Sequence, residues 1–543
     1  MLTKITGGRI VDSANGLDAL GDLWFDGGRI VAPPAGGRAD ETFDAKGCVV
    51  MAGAIDIHSH IAGANVNTAR LLLPEQHRAH APRPAATPLS NAGWSTFETG
   101  KLYAQMGFTT VVEPAVSPHH ALHAHLELAD TPVIDKAILA ILGNDDFGLS
   151  LMRDGAGASA IRDHVAWTLQ TTKALGIKVI NAGGAAAFKG NVRAFSFDDV
   201  VPHYGLTSRQ IVKALQRAVS DLRVPHPLHV HCNNLGLPGN FQTALDTIAA
   251  AEDLPLHLAH LQFYGYGSEG KLGFSSAAPK LAEAVNAAKN VTIDVGQAMF
   301  GQTVTISSDV LRQFSARGQA SPHKFVIIDG DANGGGIMPY NYKSGRFANA
   351  VQFAVGLELF LLIEDPWRVF FTTDHPNGAP FTAYPDLFAL LMSRDVRARW
   401  LEKLPAEALA VTTLRSLRRE YSWSEIATMT RAAPARLLGL QDRGHLAPGA
   451  RADVAIYRPG SDLAETFRRA VRVYKDGDCV VRDGELTHYR FGRALRLAAE
   501  PDAAMTRRVS NYYDRRYGLD AELLDVPESS LPREPFETVA CLT

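Results

Sequence analysis

Two histidines one residue apart follow a short apolar run in Met51-Ala52-Gly53-Ala54-Ile55-Asp56-Ile57-His58-Ser59-His60. Alternate side chains of a β-strand share a face, so His58 and His60 are predicted to point the same way at a strand end. Two imidazoles in this arrangement can bind one metal ion. For a His-x-His pattern alone, two surface histidines at a turn are the simpler interpretation. The rest of the chain must supply matching ligands.

Four more titratable residues lie in or directly after apolar stretches farther along the chain: Lys178, His231, His260 and Asp374. A charged lysine is costly to bury. Lys178 within Gly176-Ile177-Lys178-Val179-Ile180-Asn181 therefore indicates either an edge strand that reaches solvent or a lysine that has lost its charge by carboxylation, forming a carbamate that bridges two metals. Each residue alone has a structural explanation, but the ordered set predicts a metal centre.

At two of these positions, a nearby histidine is an alternative candidate for the metal ligand. His231 is preferred to His229, which shares its strand face, because His231 is nearer the carboxyl end of the strand. His260 is preferred to His257 for the same reason. If its strand stays extended, His375 faces away from Asp374. Four histidines precede or enter a helix, where a solvated helix start is the simpler interpretation: His119, His120, His123 and His125.

Apolar β-like runs alternate with helical stretches between residues 53 and 440. This alternation predicts a parallel sheet covered on both faces. Eight strands favour an α/β fold of the (β/α)8 TIM-barrel type with insertions; an open doubly wound sheet is the alternative. Barrel active sites lie at the carboxyl ends of the strands, where the candidate ligands fall. The predicted strands are 54–57, 109–113, 137–141, 177–181, 228–231, 256–259, 291–294 and 369–373.

Both ends of the chain contain short strands with glycine turns, at residues 1–52 and 441–492. Neither end can bury a core alone, so we expect them to pair into one small β-sandwich domain beside the barrel at 53–440. The C-terminal extension, 493–543, is charged and punctuated by proline. Within it, 509–517 is predicted to be a peripheral helix or an arm that docks on a partner.

The composition is that of an ordinary globular protein, with 543 residues, 46% hydrophobic residues and a net charge of −3. That charge argues against nucleic acid or an anionic membrane as the main partner. We expect no signal peptide, because Met1-Leu2-Thr3-Lys4-Ile5 lacks an apolar core and a cleavage site, and no membrane span, because no apolar run reaches roughly 18 residues; we therefore expect a cytoplasmic location. Its scattered cysteines, without Cys-x-x-Cys, exclude an iron–sulfur cluster or Cys-rich zinc site built by this chain alone. They are Cys48, Cys232, Cys479 and Cys541.

The ordered set of His-x-His, Lys, His, His and Asp resembles the amidohydrolase superfamily with a binuclear metal centre, of the hydantoinase and dihydroorotase type. The stretch 444–454 resembles that family's entry into its small sandwich domain. The resemblance implies two Zn²⁺ ions per chain, joined by a bridging hydroxide and by N6-carboxylysine at Lys178, and it gives Asp374 the role of proton carrier. One zinc would take His58, His60 and Asp374, and the other His231 and His260, both sharing the carbamate.

Longer stretches are similar to one branch of this superfamily, the amidohydrolase-type subunits of formylmethanofuran dehydrogenases and of bacterial formyltransferase/hydrolase complexes. The similar stretches are 59–63, 231–236, 331–340 and 373–378. The resemblance implies hydrolysis of N-formylmethanofuran to formate and methanofuran by the hydrolase subunit of a multisubunit complex in one-carbon metabolism. Polar residues in or beside these stretches are the predicted substrate contacts: Asn233, Asn333, Tyr340 and Asn341.

Two other functions remain open on the sequence. A stand-alone cyclic-amide hydrolase would use the same metals without partner subunits. A non-catalytic barrel scaffold predicts missing ligands, whereas every ligand position here is filled. The sequence also leaves open whether the complex is purely hydrolytic or redox-coupled. Because this chain has no cysteine set for iron–sulfur clusters, any electron transfer would belong to other subunits.

Overall fold

The structure, a computed structural model, describes residues 1–73, 95–190, 192, 195–270, 272–307, 336–531 and 536–542. At its centre lies an eight-stranded parallel sheet whose strands follow one another in chain order. A parallel bridge between Ser59 and His375 joins the first strand to the last, so the sheet curls into the expected TIM-type barrel. Its strands are Ala54–Asp56, Phe108–Val116, Asp135–Leu142, Gly176–Ile180, Leu228–His231, Leu256–Leu258, Val291–Asp294 and Val369–Phe370.

The barrel strands are recognisable in the sequence because helices cover them. Asp135–Leu142, for example, is buried at every position except Ile141. Parallel strands buried on both faces are near-continuous apolar runs, which is the pattern that predicted them. The eighth strand is shorter than the predicted 369–373, since the chain leaves the sheet after Phe370 and turns through Asp374, which has a φ of 49°.

Amphipathic helices form the outer layer. Ser208–Asp221 begins at a capping box between Thr207 and Gln210 and buries Ile211 and Leu215 against the barrel. The other α-helices within the described residues are Ala64–Leu71, Thr96–Gln105, Ala121–Ala129, Asp146–Arg153, Ala158–Thr172, Gly184–Lys189, Phe241–Ala250, Ala278–Ala287, Phe347–Leu362, Tyr384–Met392, Arg394–Leu401, Ala406–Ala410, Trp423–Ala427, Ala433–Leu437, Leu463–Arg468 and Ala503–Tyr517.

A second, nine-stranded sheet draws its strands from both ends of the chain, which confirms the expected pairing of the two ends. The junction is antiparallel and brings Met51 opposite Ala455. In sheet order the strands are Glu485–Leu486, Asp478–Arg482, Arg472–Lys475, Val454–Tyr457, Val49–Ala52, Thr3–Asp12, Leu17–Asp26 and Arg29–Val31, with Glu41–Asp44 also beside Thr3–Asp12.

Buried charges tie this second sheet to the amino-terminal end of the barrel. Lys475 is fully buried, and its Nζ lies 3.1 Å from Asp135 Oδ2 and 3.0 Å from Asp453 Oδ2. Asp135 opens the third barrel strand, whereas Asp453 and Lys475 belong to the second sheet or its approach. A cation thus neutralises carboxylates from both units at the end of the barrel opposite the candidate ligands.

The C-terminal extension packs along the barrel and contains the helix Ala503–Tyr517, which includes 509–517, the stretch predicted to be a peripheral helix or a docking arm. Met505 and Val509 of this helix join a buried cluster with Phe147 and Trp167. Among the remaining strands, Leu495–Leu497 pairs with Glu537–Val539, Tyr266–Gly267 with Ser275–Ser276, and Gly301–Ser307 with Gly336–Tyr342. Within the described ranges, no helix combines the length and apolar character needed to cross a membrane.

Candidate metal centre

The first barrel strand delivers His58 and His60 to the carboxyl-terminal end of the barrel. The turn after this strand is held by buried Asp56, whose Oδ1 accepts the His58 N–H at 3.0 Å. Its other oxygen accepts the Tyr103 hydroxyl at 2.8 Å. Burial raises the pKa of Asp56 despite these hydrogen bonds. The main chain of His60 is fixed from the last strand, because its N–H donates to the His375 carbonyl at 2.9 Å.

A carboxylate stands behind each histidine of this pair. His58 Nδ1 lies 3.0 Å from Asp294 Oδ2, and His60 Nδ1 lies 3.0 Å from Glu113 Oε1. Such partners fix the imidazole tautomer and leave Nε2 as the ligand atom. Although burial opposes it, Glu113 and Asp374 raise the pKa of His60 to about 9. The site therefore carries negative charge that favours a cation.

Asp374 faces the imidazole rings of His58 and His60. Its Oδ1 lies 3.1 Å from His58 Nε2 and 3.1 Å from His60 Nε2, but no hydrogen bond of good geometry reaches that oxygen from the described residues. Its Oδ2 accepts the Asn377 amide at 2.9 Å. Burial works against ionisation, yet the charges of the surrounding histidines hold the pKa of Asp374 well below its usual range.

Lys178 reaches the same point from the fourth strand. It is 1% exposed, and its Nζ lies 3.2 Å from His58 Nε2. Burial lowers the pKa of this amine, and the nearby carboxylates of Asp374 and Asp294 only partly oppose that effect. The lysine belongs to the barrel interior, so the edge-strand interpretation does not describe it.

His231 and His260 complete the set from the fifth and sixth strands. Their ring centroids are 4.7 Å apart, and the His260 ring lies 5.2 Å from that of His58. His260 adopts a left-handed backbone with a φ of 33°, and its buried Nδ1 has no hydrogen-bond partner among the described residues. Burial keeps the pKa of His260 well below its ordinary value, so its ring is neutral and available as a ligand.

The donor set fits metal ions. One ligand atom each from His58, His60 and Asp374 lies within 4.8 Å of the other two, close enough to share one metal ion. Two further observations point the same way: Asp374 Oδ1 and His260 Nδ1 are buried and have no hydrogen-bond partner among the described residues. Neutral imidazoles and carboxylates are the usual ligands of zinc and related metals. Five of the six candidate ligands line one cavity at this end of the barrel, with His58 packed beneath them: His60, Lys178, His231, His260 and Asp374.

The substrate contacts expected from the sequence are distributed differently. Asn233 does not line the cavity, and its amide donates to the Ser208 hydroxyl at 2.9 Å and to the Phe195 carbonyl at 3.2 Å. The Tyr340 hydroxyl accepts the Asn349 amide at 2.7 Å, and Asn341 is exposed on the other face of its strand. Asn333 lies outside the described residues.

Other polar groups line the cavity instead. Tyr342, Gln352 and Asn377 face it, and exposed His120 borders it. His120 was expected only at a solvated helix start. Tyr342 lies on the same face of its strand as Tyr340, two residues closer to the end of the strand. If the hairpin had been predicted, the alternation of its side chains would have identified Tyr342 as a candidate. Asp294 and Glu113 also lie at or near strand ends, so the strand-end rule that identifies the ligands applies to them as well.

Three further histidines of the described residues have structural partners. The His375 Nδ1 accepts the Phe381 N–H at 3.3 Å, and the residue does not line the cavity. His257 turns into the barrel, with Nε2 3.0 Å from Asp294 Oδ2. His125 is buried and its Nε2 donates to the Thr172 carbonyl at 2.9 Å. All four cysteines are free.

Comparison with known proteins agrees with this geometry. Residues 41–488 match the model of the amidohydrolase family. The chain is 51% identical to one subunit of the formyltransferase/hydrolase complex Fhc of Methylorubrum extorquens over the full length of both, and 38% identical to protein FwdA of Methanocaldococcus jannaschii over 90% of each. It superposes with a TM-score of 0.95, at 50% identity and full coverage of both chains, on a chain in the crystal structure of the FhcABCD complex from M. extorquens with methylofuran. This chain therefore belongs to the amidohydrolase family.

Proposed function

We propose that this chain hydrolyses the formyl C–N bond of N-formylmethanofuran, or of its methylofuran counterpart, to formate and the free amine. The observation that carries the proposal is the convergence of six candidate ligands at the carboxyl-terminal end of the barrel, where five of them line one cavity. The full-length similarity to a component of a formyltransferase/hydrolase complex supports the choice of substrate. The chain would act beside the other subunits of such a complex.

Two Zn²⁺ ions are the proposed cofactors. The residues that would hold one ion are His58, His60 and Asp374, those for the other are His231 and His260, and both ions would share a carboxylated Lys178. When bound, the ions supply a nucleophile derived from water near neutral pH and polarise the formyl carbonyl. Two observations support this assignment: the ligand atoms of His58, His60 and Asp374 lie close together, and the buried Asp374 Oδ1 accepts no hydrogen bond from the described residues.

Lys178 is suited to carbamate formation. Burial lowers the pKa of its amine, and a neutral amine can attack CO₂. The new N–C bond gives a carbamate and releases one proton. The modification converts a neutral amine into an anion beside His58, where negative charge helps to hold two cations together.

Asp374 is the proposed proton carrier. Its Oδ1 would accept a proton from the attacking water as the new C–O bond forms at the formyl carbon. The same oxygen would then donate that proton to the amine nitrogen as the C–N bond breaks. Asn377 supports this role, because it binds Oδ2 and leaves Oδ1 directed toward the histidines.

The test is to incubate the purified chain, with its co-purifying subunits, with N-formylmethanofuran and to measure formate with and without an electron acceptor. We expect formate release that does not need the acceptor and about two zinc ions per chain. Asp374→Asn should abolish formate release while retaining metal. Acceptor-dependent turnover would indicate a redox complex, activity on a cyclic amide alone would indicate a hydantoinase-type enzyme, and a metal-free inactive barrel would indicate a scaffold.

A further inference from the structure

A layer of buried polar side chains lies inside the barrel beneath the candidate metal centre. His229, His257 and Asp294 are fully buried, and His226 is 1% exposed. Barrel interiors are normally filled by branched apolar side chains, so this layer needs a separate explanation. The proposed ligands and proton carrier do not include it.

Asp294 is the centre of this layer and contacts residues assigned to both metals. Its Oδ2 lies 3.0 Å from His58 Nδ1 and 3.0 Å from His257 Nε2. Its Oδ1 accepts the main-chain N–H of His260 at 2.6 Å. One carboxylate therefore holds the ring of a ligand for one ion and the backbone of a ligand for the other.

The hydrogen-bond pattern determines where the ring protons reside. A neutral imidazole has one N–H and one acceptor nitrogen. The carboxylate can only accept, so His58 must carry its proton on Nδ1. His229 Nε2, 3.0 Å from the same His58 nitrogen, then acts as an acceptor, and its Nδ1 donates toward His226 Nε2 at 3.2 Å.

His257 follows the same pattern on the other side of Asp294. Its Nε2 faces the same acceptor-only carboxylate, so the His257 proton resides on Nε2, and its Nδ1, 2.8 Å from the Thr292 hydroxyl, is an acceptor. With these protons assigned, His58 Nε2 is a bare lone pair. The amine of Lys178, 3.2 Å away, donates to that lone pair.

We propose that Asp294 is a positioning residue for both metal ions: it fixes His58 as the Nδ1–H tautomer, with Nε2 free to bind one ion, and it holds the backbone of His260, which binds the other. This inference rests on the proposed metal centre. It adds a residue that touches neither the substrate nor the metals and acts through their ligands.

Asp294→Asn tests the proposal with almost no change in shape. The His260 N–H requires an acceptor, so the new carbonyl oxygen must face it and the new NH₂ must face His58. That NH₂ donates to His58 Nδ1 and moves the ring proton to Nε2, where it blocks the ligand atom. The matched control is Thr292→Val, which breaks the His257 contact in the same layer and leaves the contact between Asp294 and His58 intact.

The readout is zinc titration of the metal-free full-length chain against a competing chelator. We expect Asp294→Asn to weaken the binding of at least one ion by about 10- to 100-fold, the usual effect of losing such a partner, while Thr292→Val retains wild-type affinity for both. Wild-type affinity for both ions in Asp294→Asn would overturn the inference. If the wild-type chain itself binds no zinc, the proposed function fails instead.

A second measurement does not depend on the folding of the variant. Neutron diffraction from metal-free wild-type crystals locates the deuterium on each imidazole. We expect deuterium on His58 Nδ1, directed at Asp294. Deuterium only on His58 Nε2 would overturn the proposed role.

Discussion

Asn377 donates a hydrogen bond to Oδ2 of Asp374 at 2.9 Å and accepts the main-chain N–H of Ile306 at 2.6 Å through its own Oδ1. Ile306 belongs to the hairpin strand Gly301–Ser307, so this amide joins the hairpin to the proposed proton carrier. Removing it frees the Asp374 carboxylate to rotate.

Asn377→Ala should therefore lower kcat by about 10- to 100-fold, because misorientation of a reacting group by about 1 Å has that cost. KM and the zinc content should change little, since the metal-facing oxygen of Asp374 is retained. Steady-state formate release measures the first quantity and elemental analysis the zinc. Asn341→Ala is the matched control, because Asn341 is exposed on the neighbouring strand. An unaltered kcat in Asn377→Ala would contradict this role.

Replacement of Lys178 should remove metal as well as activity. Lys178→Met retains the length and apolar stem of the side chain but cannot form a carbamate. We expect the zinc content to fall well below two ions per chain, and reconstitution of metal-free wild-type protein to require bicarbonate. Density extending beyond Nζ of Lys178 in a crystal of the loaded protein tests the modification directly, and an unmodified amine with both metals bound would refute it.

Lys136→Met is the control for that experiment. Lys136 is also a buried barrel lysine, but its Nζ donates to the carbonyls of Thr131 and Gly492, both at 3.1 Å, away from the cavity. It should retain full zinc content even if the protein becomes less stable. Equal metal loss in both variants would indicate a general folding defect.

Buried His125 should make the fold sensitive to acid. Burial lowers its pKa to about 4, against 6.5 in the unfolded chain, even though the Thr172 carbonyl accepts its N–H. As the pH falls, the unfolded chain binds this proton before the folded chain does. The unfolding free energy is therefore unaffected by His125 above pH 6.5 and decreases as the pH falls from 6.5 toward 4. The full loss is about 3 kcal/mol.

His125→Gln retains a donor for Thr172 and should flatten the fall of unfolding free energy between pH 6.5 and pH 4. Urea denaturation at several pH values measures the effect. His123→Gln, which changes an exposed histidine on the same helix, should keep the wild-type slope. If the unfolding free energy depended on pH equally in the wild type and both variants, His125 would not be the cause of the acid sensitivity.

Lys475→Met should destabilise the junction between the second sheet and the barrel. The change leaves the carboxylates of Asp135 and Asp453 buried without their cation, and such a loss costs about 3–5 kcal/mol of unfolding free energy. Equilibrium urea unfolding measures it. Arg469→Met removes an exposed partner of Glu485 and should have no measurable effect. Similar losses from both substitutions would argue against a special role for the buried charge.

Much of this fold could be predicted because its strands are buried on both faces. Val291–Asp294 and Leu228–His231 have the predicted bounds, since each is an apolar run between clear turns. The hairpin of Gly301–Ser307 and Gly336–Tyr342 was not foreseen. Its pairing spans a long separation in the sequence, and local patterns carry little information about such contacts.

The candidate ligands came from one rule, that barrel chemistry lies at the carboxyl ends of strands, and the structure brings all six together. Their metal-binding role stays a prediction. The substrate contacts were harder, because a polar residue in a loop can face either the cavity or the backbone. Asn233 has the residue type of a binding group, but its amide is used by Ser208 and nearby carbonyls. Only three-dimensional packing distinguishes these uses.

The bridge between Ser59 and His375 has a consequence for how the protein is made. His58 and His60 follow the first barrel strand, and Asp374 follows the eighth. A nascent chain on the ribosome therefore carries its first two candidate ligands long before their carboxylate partner has been translated. Any ion captured at that stage would be held by two imidazoles alone and would dissociate readily. Lasting metal insertion must wait until translation has passed the eighth strand and the barrel has closed.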